Sequence, residues 1–336
     1  MAAKETGKKE KLKITRLFMA PVSLVWKAWT DPALVKRWWG PAGYTAPSVT
    51  IDLRAGGKYL YCMRSPDGKD NWSTGTFREI VPMKRIAVTD SFADEKGNVV
   101  PASRYGLPED WPMDMKVTIT FAEEGEGMTR FTLRYGSFPQ GPMLPMARAG
   151  WIQSLDKLAR VLAGEQAAPG KTIVIAEPGR QEASMVRVFA APREKVYRAF
   201  TDPDLLAKWW APRRYETIVD RLELRPGGIW RFLNKDKDGN LFAFHGVYHE
   251  ISPTRIVSTF EFEGMPGHVL LGITTLEDVP EGTRVTLASV FESVGDRDGM
   301  MVTGMSEGWK ETFDLLAELV ERGAPATAEA PAAAAR

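Results

Sequence analysis

The sequence predicts an α+β fold made twice over: two tandem domains, each a curved antiparallel sheet wrapped on a long C-terminal helix, with two short helices after the first strand. Three observations predict it: an internal repeat of domain length, alternating runs separated by glycine turns, and one amphipathic helix closing each repeat. Ala20-Pro21 recurs as Ala191-Pro192, Thr30-Asp31-Pro32 as Thr201-Asp202-Pro203, and Trp38-Trp39 as Trp209-Trp210. Arg54 with Gly56-Gly57 recurs as Arg225 with Gly227-Gly228. Each pair is offset by 171 positions, and 16 of the 38 residues from Ala20 to Gly57 match without a gap. Average composition gives about two such matches. A period this long is a whole domain rather than a solenoid unit. The expected organisation is a flexible leader at 1–11, a first domain at 12–164, a linker at 165–182, a second domain at 183–323 and a disordered tail at 324–336. The linker leaves room for a short strand at Thr172–Ala176.

Within each copy a first strand (Ile14–Phe18; Ala183–Phe189) runs into Ala-Pro, and proline suits the first turn of a helix. Val22, Val25, Trp26 and Trp29 then fall at helical spacing. Thr-Asp-Pro opens a second helix, with Asp31 or Thr30 as N-cap and Pro32 at the first helical position, and Gly40-Pro41 stops it. Val49, Ile51 and Leu53 alternate with Thr50, Asp52 and Arg54, the mark of a half-buried strand. Gly56-Gly57 and Gly227-Gly228 turn the chain into the next strand. Further strands are expected near 72–81, 84–92, 113–122 and 128–136, with counterparts at 241–251, 254–262, 268–277 and 283–292. Trp151, Leu155, Leu158 and Leu162 share one face of the closing helix, as do Trp309, Phe313, Leu316 and Val320. A helix crossing a curved sheet leaves a concave gap of the kind that takes ligands.

Composition narrows the function. Lys+Arg is 44 against 43 Asp+Glu, a formal net charge of +1, so the basic footprint of a dedicated nucleic-acid binder is missing. No apolar run approaches the roughly 20 residues that span a bilayer, and the N-terminus lacks the apolar stretch of a secretory signal; a cytoplasmic protein without membrane insertion is expected. One cysteine, Cys62, excludes an intramolecular disulfide and any multi-cysteine metal site. The three histidines, His245, His249 and His268, all lie in the second copy. His245 and His249 share a strand face but sit roughly 13 Å apart, too far to hold one metal ion. Neither a metal nor a cofactor is expected.

Thr-Asp-Pro…Trp-Trp-Gly-Pro, a strand ending Arg-x-Gly-Gly, Gly-x-(Phe/Tyr)-x-Glu-Ile-x-Pro and the closing Gly-Trp…Asp-x-Leu-Ala resemble the Bet v 1/START-like (SRPBCC) superfamily. More narrowly they resemble the activator of Hsp90 ATPase homologue 1-like family, in two tandem copies. The resemblance implies a helix-grip fold with a cavity between the sheet and the last helix. Such domains serve as lipid carriers, hormone receptors, aromatic cyclases and co-chaperones.

The leading expectation is therefore binding of a small apolar or aromatic molecule in each domain. In the first copy the candidate ligand-binding residues are Trp39, Val49, Ile51, Leu53, Met115, Val117 and Trp151; in the second they are Trp210, Asp220, Leu222, Leu224, Leu270 and Trp309. Of each Trp-Trp pair, one indole packs on the sheet while its neighbour, about 100° round the helix, can wall the pocket. Asp220 falls where the first copy has Val49, so it either aims a carboxylate at the concave face or reaches water at the strand's outer end. His268 corresponds to Met113 and is the other candidate acid–base group. Arg54 and Arg225 can anchor a turn or bind an anion. The long segment 94–112, with Tyr105 and Trp111, reads as a lid; the second copy shortens it to Glu263–Gly267. The first copy reads as a mostly apolar container, and any chemistry is placed in the second. Two alternatives stand beside ligand binding: a cyclase- or hydrolase-like enzyme in the second cavity, and an interaction module for an Hsp90-type chaperone ATPase.

Overall fold

A computed structural model describes residues 12–109, 111–136, 138–139 and 142–321; the expected leader at 1–11 and tail at 324–336 lie outside the described residues. The chain divides into two units in sequence, Met1–Leu162 and Ala163–Arg336. In the first, β1 (Lys13–Phe18) leads into α1 (Val22–Thr30) and α2 (Pro32–Trp38). Asp31 caps α2, accepting from the Ala33 amide at 2.8 Å, with Pro32 at the first helical position. There follow β2 (Thr45–Ile51), β3 (Lys58–Arg64), β4 (Asp70–Val81), β5 (Arg85–Ala93), β6 (Met115–Glu123) and β7 (Thr129–Tyr135), and α3 (Met143–Gln166) closes the unit. The strands form one antiparallel sheet in the order β1-β7-β6-β5-β4-β3-β2.

The second unit repeats this order. A short strand, β8 (Ile173–Ile175), lies inside the expected linker and pairs with β9 (Glu182–Phe189). Helices α4 (Arg193–Thr201) and α5 (Pro203–Leu206) follow, then β10 (Glu216–Leu222), β11 (Ile229–Lys235), β12 (Leu241–Ser252), β13 (Arg255–Phe262), β14 (Leu270–Val279) and β15 (Gly282–Val290). The sheet order is β10-β11-β12-β13-β14-β15-β9-β8. The sequence suggests one closing helix; the structure has two, α6 (Val294–Val302) and α7 (Met305–Val320). Between them Gly304 sits at φ 86°, a left-handed conformation that breaks a helix and suits glycine.

In each unit the closing helix lays its apolar face on the inner side of the sheet. Leu155, Leu158 and Leu162 do so in α3, and Phe313, Leu316 and Val320 in α7, all 2% exposed or less. Each fully burying side chain of this size stabilises by about 1.5–3 kcal/mol. An ion pair ties the first strand to the closing helix at the same place in both units, Arg16 to Asp156 at 2.6 Å and Arg187 to Asp314.

Two glycines shape the sheets where they bend. A Cβ on Gly75 would fall 1.8 Å from the Thr89 carbonyl oxygen and 2.6 Å from the Tyr59 ring. On Gly246 it would fall 1.9 Å from the Thr259 carbonyl and 2.6 Å from the Trp230 indole. Only glycine lets these strands approach and lets the ring opposite lie over them.

Candidate functional site: two aromatic cavities

The first cavity encloses about 470 Å³. Its wall combines the ends of α2 and α3 with strands β3 to β7 and the segment between β5 and β6. The tryptophan pair divides as helical geometry requires. Trp38 is fully buried and its indole N–H donates to the Ala28 carbonyl at 2.9 Å, while Trp39 lines the cavity. Trp151 of α3 faces Trp39 edge-on at 5.4 Å between ring centroids. The long segment 94–112 packs against this space: Tyr105 and Trp111 both line it. The Tyr105 hydroxyl donates to the Ala93 carbonyl at 2.6 Å and accepts from the Trp72 amide at 3.2 Å.

One group in this cavity is not apolar. Asp90 of β5 accepts from the Tyr59 hydroxyl at 2.6 Å through Oδ1 and from the Tyr135 hydroxyl at 2.9 Å through Oδ2. It is the sole charged side chain among the described residues lining the cavity. Burial pushes its carboxyl above the usual carboxylate range, against the pull of the two phenol hydrogen bonds. Burial, then the Asp90 charge, pushes Tyr59 and Tyr135 well above the ordinary phenol value. Any chemistry was expected in the second copy; the carboxylate held between two phenols in a cavity is in the first. The signal was in the sequence. Ile86, Val88, Asp90 and Phe92 hold one phase of an alternating strand, so a carboxylate stands in a core-facing position.

The second cavity, about 450 Å³, is built from the corresponding elements with different side chains. Trp209 is the buried member of its pair, donating to the Ala199 carbonyl at 2.8 Å; Trp210 lines the cavity. The register fixes the equivalence of the two sites. Thr89 and Thr259 each accept an amide, from Thr76 and Val247, at 2.9 Å. The next residue is Asp90 in one strand and Phe260 in the other. Trp230 stands in the place of Tyr59, as the shared glycine contacts show. Phe260, Trp230, Phe232, Phe244 and Trp210 form a connected aromatic wall, with centroids 5.0–6.4 Å apart. Exposed Arg214 is the one charged residue among the described lining residues. The Trp230 indole nitrogen is buried over Gly246 with no hydrogen-bond partner in the protein. A side chamber of about 350 Å³ shares Phe244, Phe260, Leu270, Met300 and Thr303 with this cavity.

The structure brings together Trp39, Met115 and Trp151 in the first cavity and Trp210, Leu270 and Trp309 in the second. Val117 lies deeper, on a hollow of about 40 Å³ that also touches Asp90. Val49 and Ile51 face inward but pack into the core on the edge strand covered by α2, away from the cavity. Leu222 does the same in the second unit, and Leu53 and Leu224, just past the strand ends, are 38% and 40% exposed. Asp220 is outside as well. A β-bulge falls at this residue, so Val219 pairs with Phe232 as Val49 does with Tyr61, and Asp220 is displaced to the other face. There it pairs with Arg231 at 2.9 Å. His268 lines the side chamber, 3.2 Å from Asp296, with no contact to Asp220. His245 sits between Glu261 and Glu263, and His249 is exposed. Arg54 and Arg225 pair with Asp52 and Glu223 on the surface, which favours the turn-anchoring reading. Among the described residues no group of three His, Cys, Asp or Glu could hold a metal ion, and no helix is long and apolar enough to cross a membrane.

The family model of the activator of Hsp90 ATPase homolog 1-like protein matches residues 19–163 and again 190–321. The chain belongs to this family, in two tandem copies. Solved structures similar to this tandem AHSA1-like chain include a protein from Chromobacterium violaceum, 31% identical over 42% of this chain and 97% of that one, with a TM-score of 0.39. An Arthrobacter aurescens protein is 24% identical over 49% and 98%, with a TM-score of 0.43. An AHSA1 protein from Silicibacter pomeroyi is 23% identical over 46% and 99%, with a TM-score of 0.38. No curated protein matches the AHSA1-like chain.

Proposed function

We propose that this protein binds small apolar or aromatic molecules, one in the cavity of each unit. The observation that carries the reading is the pair of aromatic-walled cavities, about 470 and 450 Å³, each between the sheet and the closing helix. Both fall within the roughly 300–1,000 Å³ typical of small-molecule pockets. The single cysteine, Cys62, is free and buried, and burial pushes its thiol up to about 11, which makes it a packing residue rather than a nucleophile; a cytoplasmic setting belongs to this proposal. Native mass spectrometry and thermal unfolding against a panel of lipids and aromatic metabolites test it. Up to two bound equivalents are expected, and a ligand at 100 times its Kd stabilises by about 2.7 kcal/mol. No retained ligand and no shift across the panel would overturn the reading.

Asp220 and His268, the acid–base candidates of the enzyme alternative, lie apart, one paired with Arg231 on the outer face of the sheet and the other beside Asp296 in the side chamber. Membership of the family supports a second reading, interaction with an Hsp90-type ATPase. A pull-down coupled to an ATPase assay decides it; neither binding nor stimulation at micromolar concentrations removes it.

A further inference from the structure

The first cavity places a carboxylate in a wall whose described lining residues carry no positive charge. A carboxylate offers about four acceptor positions, and Tyr59 and Tyr135 fill two of those on Asp90. No Lys, Arg or His is among the described residues lining the space, and the remainder of the wall is dominated by aromatic and apolar side chains, Trp39, Trp72, Trp111 and Trp151 among them. Ring faces attract a cation, and the attraction grows when water is excluded. A carboxylate that gains a charged hydrogen-bond donor in such a place is relieved of much of its desolvation penalty.

We propose that the first cavity is specific for an organic cation: a protonated amine on an apolar or aromatic body, its ammonium bound to Asp90 and its body held among the tryptophans. This rests on the ligand-binding reading above and adds a substrate class to one of the two sites. The second cavity is the built-in contrast. Phe260 takes the place of Asp90 and Trp230 that of Tyr59, so the aromatic wall there carries no carboxylate, Glu292 and Asp296 standing apart in the side chamber, and that wall favours the neutral form of the same body.

The test uses the full chain and three probes that share a ring system: 2-(1-naphthyl)ethylamine, 2-(1-naphthyl)ethanol and 1-naphthaleneacetate. Binding is followed by calorimetry at neutral pH and stoichiometry by native mass spectrometry. The amine is expected to bind one site about ten- to a hundredfold tighter than the alcohol, the scale of a charge-assisted hydrogen bond. In Asp90→Asn the ratio of amine to alcohol affinity falls towards one. The wild-type ratio alone is decisive should that variant fail to fold. Equal affinity for amine and alcohol overturns the inference while leaving the ligand-binding reading intact. Tightest binding of the carboxylate, retained in Arg214→Ala, also overturns it, since Asp90 would then act as a neutral donor. Binding of none of the three, with none from the wider panel, fails the broader reading instead.

Discussion

Asp90 stands at the meeting of two demands that conflict at neutral pH. Its two phenol donors favour the ionised form, while its apolar surroundings favour the neutral one, and burial is the larger effect. A carboxyl whose pKa is raised by folding binds its proton more tightly in the native state than in the unfolded chain, where it titrates near 3.9. Its contribution to stability is therefore fully present below that value and is lost as pH rises through the higher native value. The groups facing Asp90 are Tyr59 and Tyr61 on β3, Tyr135 on β7 and Asp114 ahead of β6. The three tyrosines are all shifted upward, so they stay protonated across this window. The difference in unfolding free energy between wild type and Asp90→Asn should thus fall as pH rises above about 4, measured by urea denaturation at a series of pH values. A difference that stays flat, or rises with pH, would show that the native carboxyl is not raised. Because the ionised form is the one that receives an ammonium, amine affinity should increase over the same window in which unliganded stability declines.

At the scale of elements, the strands and closing helices were legible because alternation and 3.6-residue spacing report directly on which face is buried. The expected strand at 84–92 is β5 at Arg85–Ala93, and the expected strand at 128–136 is β7 at Thr129–Tyr135. The cavity lining was only partly legible, for two physical reasons. A bulge adds one residue without changing strand composition, so an ungapped comparison placed Asp220 over Val49 when the pairing places Val219 there. An inward-facing residue on an edge strand can also be taken up by a covering helix, as Val49 is, and never reach the cavity. Gly75 and Gly246 recurred in sequence without a visible reason, since the need for them is the close approach of a partner strand. Gly75→Ala is expected to destabilise by about 1–3 kcal/mol through that clash. It should also displace the Tyr59 ring and weaken its bond to Asp90. Gly56→Ala is the comparison: its φ is 81° but the space beside it is open, so only backbone strain of about 1 kcal/mol applies. Chemical denaturation ranks the two variants, and equal losses would remove the special role given to Gly75.

For the whole molecule, duplication has kept the container and changed its lining. The volumes differ little, yet the first cavity carries a carboxylate between two tyrosines and the second an uninterrupted aromatic wall with an arginine among its lining residues. Two sites of like size and unlike chemistry suit two ligands, or two forms of one, better than they suit a doubled capacity for the same molecule. The sites can be separated by closing one of them. Gly272 lines the second cavity in phase with Leu270 and Thr274, and a Cβ there meets only the Ser258 carbonyl oxygen, at 3.5 Å. Its counterpart in the paired strands of the first unit is Val117. Gly272→Phe should therefore be accommodated by the fold while its ring occupies the ligand space. Native mass spectrometry with the naphthyl alcohol and amine together is expected to lose the alcohol's equivalent and keep the amine's, the remaining equivalent being sensitive to Asp90→Asn. If both equivalents persist at wild-type affinity in Gly272→Phe, the second site lies elsewhere. If both vanish together, the two cavities are not independent sites, and the assignment of one ligand to each unit fails.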